Sequence, residues 1–139
     1  MNKIEKVVFN SDRKFDIQLS DALIEERQLA RIFSEARLHR IELKTETWQW
    51  EQTGNICIEF RDGGRPSGIS TTEADFWVHQ LKRPASEPGE SFTLVYLMFP
   101  IERLKALARA AIKAGRVRHG VGDGSRMDVA LVRLKDILQ

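Results

Sequence analysis

The sequence predicts a single-domain α/β fold, a layered sandwich with a mixed central sheet and helices on both faces. Three observations carry that expectation. Segments of helical and strand-like period follow one another as helix, strand, strand, helix, strand, helix, strand, an order that favours α/β layering. Phe92-Thr93-Leu94-Val95-Tyr96-Leu97-Met98-Phe99 is nearly unbroken β-forming apolar sequence, as expected of a central strand covered on both faces. The 139 residues suit one domain with one core.

Lys6-Val7-Val8-Phe9 reads as a short strand or an arm. Ser20-Asp21 then supplies an N-cap and a first-turn acid for a helix reaching about Ala36. Ala22, Leu29, Ile32, Phe33 and Ala36 form its apolar stripe, bordered by Glu25 and Glu26. A strand over 39–47 and another over 55–61, joined by a polar bridge ending at Gly54, predict an antiparallel hairpin. Asp62 to Gly68 is turn chemistry. Ser70-Thr71-Thr72-Glu73 fits a capping box and predicts a helix to about Leu81, with Ala74, Trp77, Val78 and Leu81 inward. Lys82 to Glu90, with two prolines, is a surface loop. The strand at 92–99 meets Pro100, a good first helical residue, and the helix over 101–114 ends at Gly115. Beyond the loop Gly120-Val121-Gly122-Asp123-Gly124, a last strand covers 128–133 and a helical turn 134–138.

Composition narrows the function classes. With 42% hydrophobic and 30% charged residues, the chain reads as an ordinary soluble domain. No apolar run approaches membrane-spanning length, and the first residues lack a secretory hydrophobic stretch. The single cysteine, Cys57, cannot form an internal disulfide, and no Cys/His set has zinc spacing. A reducing, cytoplasmic setting is expected. The net charge of +2 is small, yet Arg103, Lys105, Arg109, Lys113, Arg116 and Arg118 occur with no acid between 103 and 122. Such a stretch suits a polyanion, or else a solvated helix face and a flexible loop.

The chemistry concentrates on Arg40-Ile41-Glu42-Leu43-Lys44-Thr45-Glu46. In a strand, Glu42 and Lys44 share one face while Ile41 and Leu43 take the other. If the expected hairpin pairs symmetrically about its turn, Glu42 and Glu59 become cross-strand neighbours with Lys44 beside them. Two carboxylates held together repel unless a cation lies between them, and magnesium prefers oxygen ligands with several retained waters. The same residues could equally form a solvent-facing charge ladder on an edge hairpin. Trp48 and Trp50 share the parity of Glu42 and could stack on a base, be buried, or meet a second copy in a homodimer. His39 and His79 are isolated, His119 lies in the basic loop, and no histidine stands beside Cys57 in sequence to activate its thiol.

The chain resembles the PD-(D/E)XK nuclease superfamily, in particular small phage- and prophage-type members. The matching residues are Ile41 to Glu46, Thr53-Gly54-Asn55-Ile56-Cys57-Ile58-Glu59, and the run from Arg65-Pro66-Ser67-Gly68-Ile69 to Val78. The resemblance implies a restriction-endonuclease-like fold over residues 1–139 and metal-dependent hydrolysis of phosphodiester bonds, with DNA as partner. By position, Glu42 and Lys44 match the (D/E)-x-K element and Glu26 the helix acid that many members add. The family's first strand acid has no preceding strand here. Either Asp16 reaches in from the N-terminal arm, or Glu42 takes that place while Glu59 supplies the second acid.

The expected site is therefore Glu26, Glu42 and Glu59 on Mg2+ or Mn2+, lowering the pKa of a bound water. Lys44 would orient that water or neutralise developing charge, and Arg109, Lys113, Arg116 and Arg118 would meet nucleic-acid phosphates. The alternative is a non-catalytic nucleic-acid-binding or assembly module on the same fold.

Overall fold

The computed structural model describes residues 24, 27, 28, 30, 31, 33, 34, 39–47 and 49–139. The chain divides into two units, Met1–Leu38 and His39–Gln139. In the first, Ile24, Arg27, Gln28, Ala30, Arg31, Phe33 and Ser34 are helical, in keeping with the expected helix at those positions. Asp16, Glu25, Glu26 and the suggested arm lie outside the described residues.

The second unit is mixed α/β. Its strands are β1 (Ile41–Thr47), β2 (Asn55–Asp62), β3 (Arg65–Pro66), β4 (Phe76–Pro84), β5 (Ser91–Pro100), β6 (Val117–Val121) and β7 (Met127–Arg133). Its helices are α1 (Gln49–Thr53), α2 (Ile101–Lys113) and α3 (Leu134–Ile137), with short 3-10 turns at Gly68–Ser70 and Asp123–Ser125. In place of one central sheet, the described strands form two. One is mixed, in the order β1-β4-β5; the other is antiparallel, in the order β3-β2-β7-β6.

The expected hairpin between the first two strands is not formed. β1 runs parallel to β4, with Glu42 opposite Trp77 and Lys44 opposite His79. β2 runs antiparallel to β7, with Glu59 opposite Val129. Glu42 and Glu59 are thus not cross-strand neighbours. The bridge between them is a helical turn rather than a hairpin loop. α1 pins itself to the end of β4, where the Trp50 indole N–H donates to the Lys82 carbonyl at 2.9 Å. Arg83 adds an ion pair with Glu51, its Nε 3.0 Å from Oε2.

No helix forms over 70–81: a 3-10 turn ends at Ser70 and strand β4 begins at Phe76. The hydroxyls that suggested a capping box are used elsewhere: Ser70 donates to the Phe60 carbonyl at 2.8 Å, and Thr72 to Glu42 Oε2 at 2.5 Å. Trp77, His79 and Leu81 are buried at a period of two, which is strand alternation. Among the described strands, the apolar run of β5 lies at the end of its sheet rather than the centre, with Phe92, Leu94, Val95 and Tyr96 exposed. Length and apolarity alone do not separate a covered strand from an uncovered one.

One core joins both sheets to α2. Ile56, Ile58, Ala130 and Val132 from the antiparallel sheet meet Leu104, Ala108 and Ala111 from α2 and Trp77, Leu81 and Phe99 from the mixed sheet. The apolar positions 101, 104, 107, 108 and 111 give α2 its inward stripe. No described helix is long and apolar enough to cross a membrane.

Candidate functional site: a cleft lined by both sheets

A cleft of about 280 Å³ is lined by Lys44, Thr45 and Glu46 of β1, Gln49 of α1, Cys57 and Glu59 of β2, and Trp77 and His79 of β4. Arg118 and Val121 of β6 and Met127 and Val129 of β7 complete it. Alternation explains the set. Glu42, Lys44 and Glu46 share one face of β1, opposite the buried residues Trp77, His79 and Leu81 of β4. On β2, Ile56 and Ile58 fill the core, which leaves Cys57 and Glu59 on the other face.

Local chemistry fixes each group. Lys44 Nζ stands 3.1 Å from Glu42 Oε1 and 5.7 Å from the centre of the Trp77 ring, so a carboxylate and an aromatic face both hold the ammonium. Glu42 accepts the Thr72 hydroxyl on its other oxygen. Glu59 Oε1 accepts the Ser67 hydroxyl at 2.5 Å. A β-bulge between Glu59 and Arg61 leaves the Phe60 carbonyl to serve Ser67 N–H at 3.1 Å and the Ser70 hydroxyl at 2.8 Å. Bulges of this kind re-aim side chains beside functional sites.

Glu46 and His79 were not among the expected site residues. His79 is 2% exposed. Its Nδ1 is 3.2 Å from the Trp77 indole nitrogen, which can only donate. Nδ1 is therefore the acceptor, and the proton rests on Nε2, 2.8 Å from Glu46 Oε2. The same oxygen accepts the Cys57 backbone N–H at 3.0 Å. Glu46 could have been found from its shared parity with Glu42 and Lys44. His79 was hidden by the helical assignment of its segment.

The cleft disfavours an extra negative charge at Cys57. Burial, and then the Glu46 carboxylate, push the Cys57 thiol up to about 12, against an opposing effect of Arg118. Among the described residues, no Lys or Arg comes within ion-pair distance of Glu46 or Glu59, whereas Glu42, Glu51, Asp62, Asp128 and Asp136 all have such a partner.

The expected site residues are only partly brought together. Lys44 and Glu59 line the cleft, and Glu42 reaches it through Lys44. Glu26 and Trp48 lie outside the described residues, and Trp50 is buried in the core. The four basic residues have different surroundings. Arg118 lines the cleft, while Arg109 lines a separate pocket with Lys105 and approaches Glu102 at 4.0 Å. Lys113 is exposed on the last turn of α2. Arg116 is tied to Asp136 at 3.6 Å, with its Nε buried and unpartnered among the described residues.

Metal binding can be tested against the donors present. Among the described residues, no group of three or more His, Cys, Asp or Glu side chains could hold an ion. Glu46 and Glu59 line the same cleft, each with one carboxylate oxygen free of the hydrogen bonds described above, and magnesium commonly takes one or two carboxylates and completes its shell with water and phosphate oxygens. No family model, curated protein or solved structure matches the chain, so the cleft stands on its own geometry.

Proposed function

We propose that this protein is a metal-dependent nuclease that hydrolyses phosphodiester bonds of DNA in the cleft lined by both sheets. One observation carries the reading: Lys44, Glu46, Glu59 and Arg118 line a single cleft, two carboxylates for a divalent cation beside two cations for a phosphate. The resemblance of the Glu42-Leu43-Lys44 run to the PD-(D/E)XK element supports the same chemistry. Glu46 and Glu59 would hold Mg2+ or Mn2+. When bound, the metal would make water a better nucleophile at neutral pH and stabilise charge on the leaving oxygen.

The remaining roles belong to the chain. Glu42, engaged by Lys44 and Thr72, holds the Lys44 ammonium in place. Lys44 orients the attacking water or neutralises charge building on the phosphate. Ser67 fixes one oxygen of Glu59, and Arg118 offers a bidentate guanidinium to a flanking phosphate.

The test is cleavage of single-stranded, duplex and branched DNA with Mg2+ or Mn2+. Lys44→Ala and Glu59→Ala should each lower the rate by about 10²–10³-fold, the usual cost of losing one electrostatic contact to the reacting group. Glu42→Ala should weaken activity by releasing Lys44. Turnover that survives both Lys44→Ala and Glu59→Ala would sink the proposal. Salt-dependent DNA binding by a wild type without turnover would point instead to a non-catalytic module.

A further inference from the structure

The mechanism above leaves the most buried polar side chain of the second unit without a task. His79 sits beneath the cleft at 2% exposure and hydrogen-bonds with both ring nitrogens. A neutral imidazole has one donor and one acceptor, so the Trp77 N–H fixes which nitrogen carries the proton. That proton points at Glu46, whose Oε2 it shares with the Cys57 backbone N–H. The Trp77 ring also lies under the Lys44 ammonium. One buried tryptophan thereby connects the cation of the cleft to one of its carboxylates.

We infer that Trp77 and His79 form a buried positioning pair that locks Glu46 for cation binding in the cleft. This inference rests on the nuclease reading of the same cleft. A carboxylate held by two donors on one oxygen keeps a single orientation. Its ability to receive a metal is then set before the metal arrives. A purely packing histidine would need neither the fixed tautomer nor a carboxylate partner at the cleft wall.

The experiment compares wild type with His79→Phe, His79→Gln and Trp77→Phe. It measures Mn2+ affinity by calorimetry, the Mn2+ dependence of DNA cleavage, and melting temperature. His79→Phe removes the donor, and Mn2+ affinity should fall about 10–100-fold, the usual cost of losing such a supporting contact. His79→Gln places an amide donor near the lost Nε2 and should recover most of that loss. Trp77→Phe keeps a ring under Lys44 but releases the tautomer, so metal affinity should drop. A folded His79→Phe protein with unchanged Mn2+ affinity overturns the positioning role alone. A wild type that neither binds Mn2+ nor cleaves DNA overturns the cleft reading and this inference with it.

If His79→Phe does not fold, nitrogen NMR of the wild-type His79 ring decides. The expected result is an unprotonated Nδ1, a protonated Nε2, and an Nε2–H resonance that moves on Mg2+ addition in wild type but not in Glu46→Gln. A protonated Nδ1, or an Nε2–H resonance that ignores Mg2+ in a wild type that binds it, overturns the inference.

Discussion

Cys57 reports on the chemistry of the cleft floor at the scale of one residue. Its thiol is pushed from an ordinary value near 9.0 up to about 12 by burial and by Glu46, which argues against a thiolate nucleophile. At pH 8, labelling by iodoacetamide should therefore be far slower in the native protein than in denaturant. A native rate equal to the unfolded rate would show that the thiol is not held in this way. The linkage has a definite sign. Above pH 9 the unfolded chain releases this proton while the native state keeps it, so the contribution to stability is complete below pH 9 and is lost between pH 9 and about 12. A Cys57→Ser chain should lack that alkaline component in urea melts. At this scale Glu42, Lys44 and Glu59 were legible, because chemistry-bearing residues can be read directly. Their partners were not, because Thr72, Ser67 and Trp77 join them only through pairing across the fold.

The elements show why some segments announced themselves and others did not. β1, β2, β7 and α2 were readable to within two residues: β2 lies between Gly54 and Gly63, α2 between Pro100 and Gly115, and β1 and β7 stand out by their β-forming sequence. β4 was mistaken because Ser70 to Glu73 mimics a helix start while its hydroxyls serve other strands. β6 was taken for loop because Gly115, Gly120 and Gly122 surround and interrupt it, and in the fold its pairing with β7 shifts between Arg118 and Val121. The Pro66-Ser67-Gly68 segment gains a physical meaning here. Gly68 has φ +54, and a Cβ there would lie 2.4 Å from the Glu59 carbonyl oxygen. Only glycine allows that backbone to pass so close to the strand that carries Glu59. Gly68→Ala should cost roughly 1–3 kcal/mol, as strained backbone positions do, measured by urea denaturation. It should also disturb the Ser67–Glu59 contact and lower cleavage. An alanine variant with wild-type stability would show that the turn tolerates a side chain.

At the scale of the molecule, the basic run from 103 to 122 is spread over several settings: the cleft, a second pocket and an ion pair with Asp136. Arg116 is structural. Its partner Asp136 is held below the usual carboxylate range, first by the Arg133 guanidinium and then, more weakly, by Arg116 itself. Arg118 faces the cleft. Fluorescence anisotropy with labelled DNA across a salt series should separate them. Arg118→Ala should weaken binding and reduce the salt slope by about one, as expected for the loss of one phosphate contact. Arg116→Ala should instead lower the melting temperature. Equal loss of affinity in both, with unchanged melting, would return the whole run to a single binding surface. The mixed α/β character was legible because local periodicity encodes it, and the division into two sheets was not, because pairing partners are chosen by three-dimensional packing.

The chain visits the two sheets by turns: β1 in the mixed sheet, β2 and β3 in the other, β4 and β5 back in the first, β6 and β7 back in the second. Neither sheet can be made from an uninterrupted length of polypeptide. No single scission within His39–Gln139 would place the two sheets in different pieces, and a chain emerging from synthesis makes β2 and β3 of one layer before it can complete the other. Lys44 and Glu46 on one layer meet Glu59 and Arg118 on the other, so the cleft comes into being only with the finished weave.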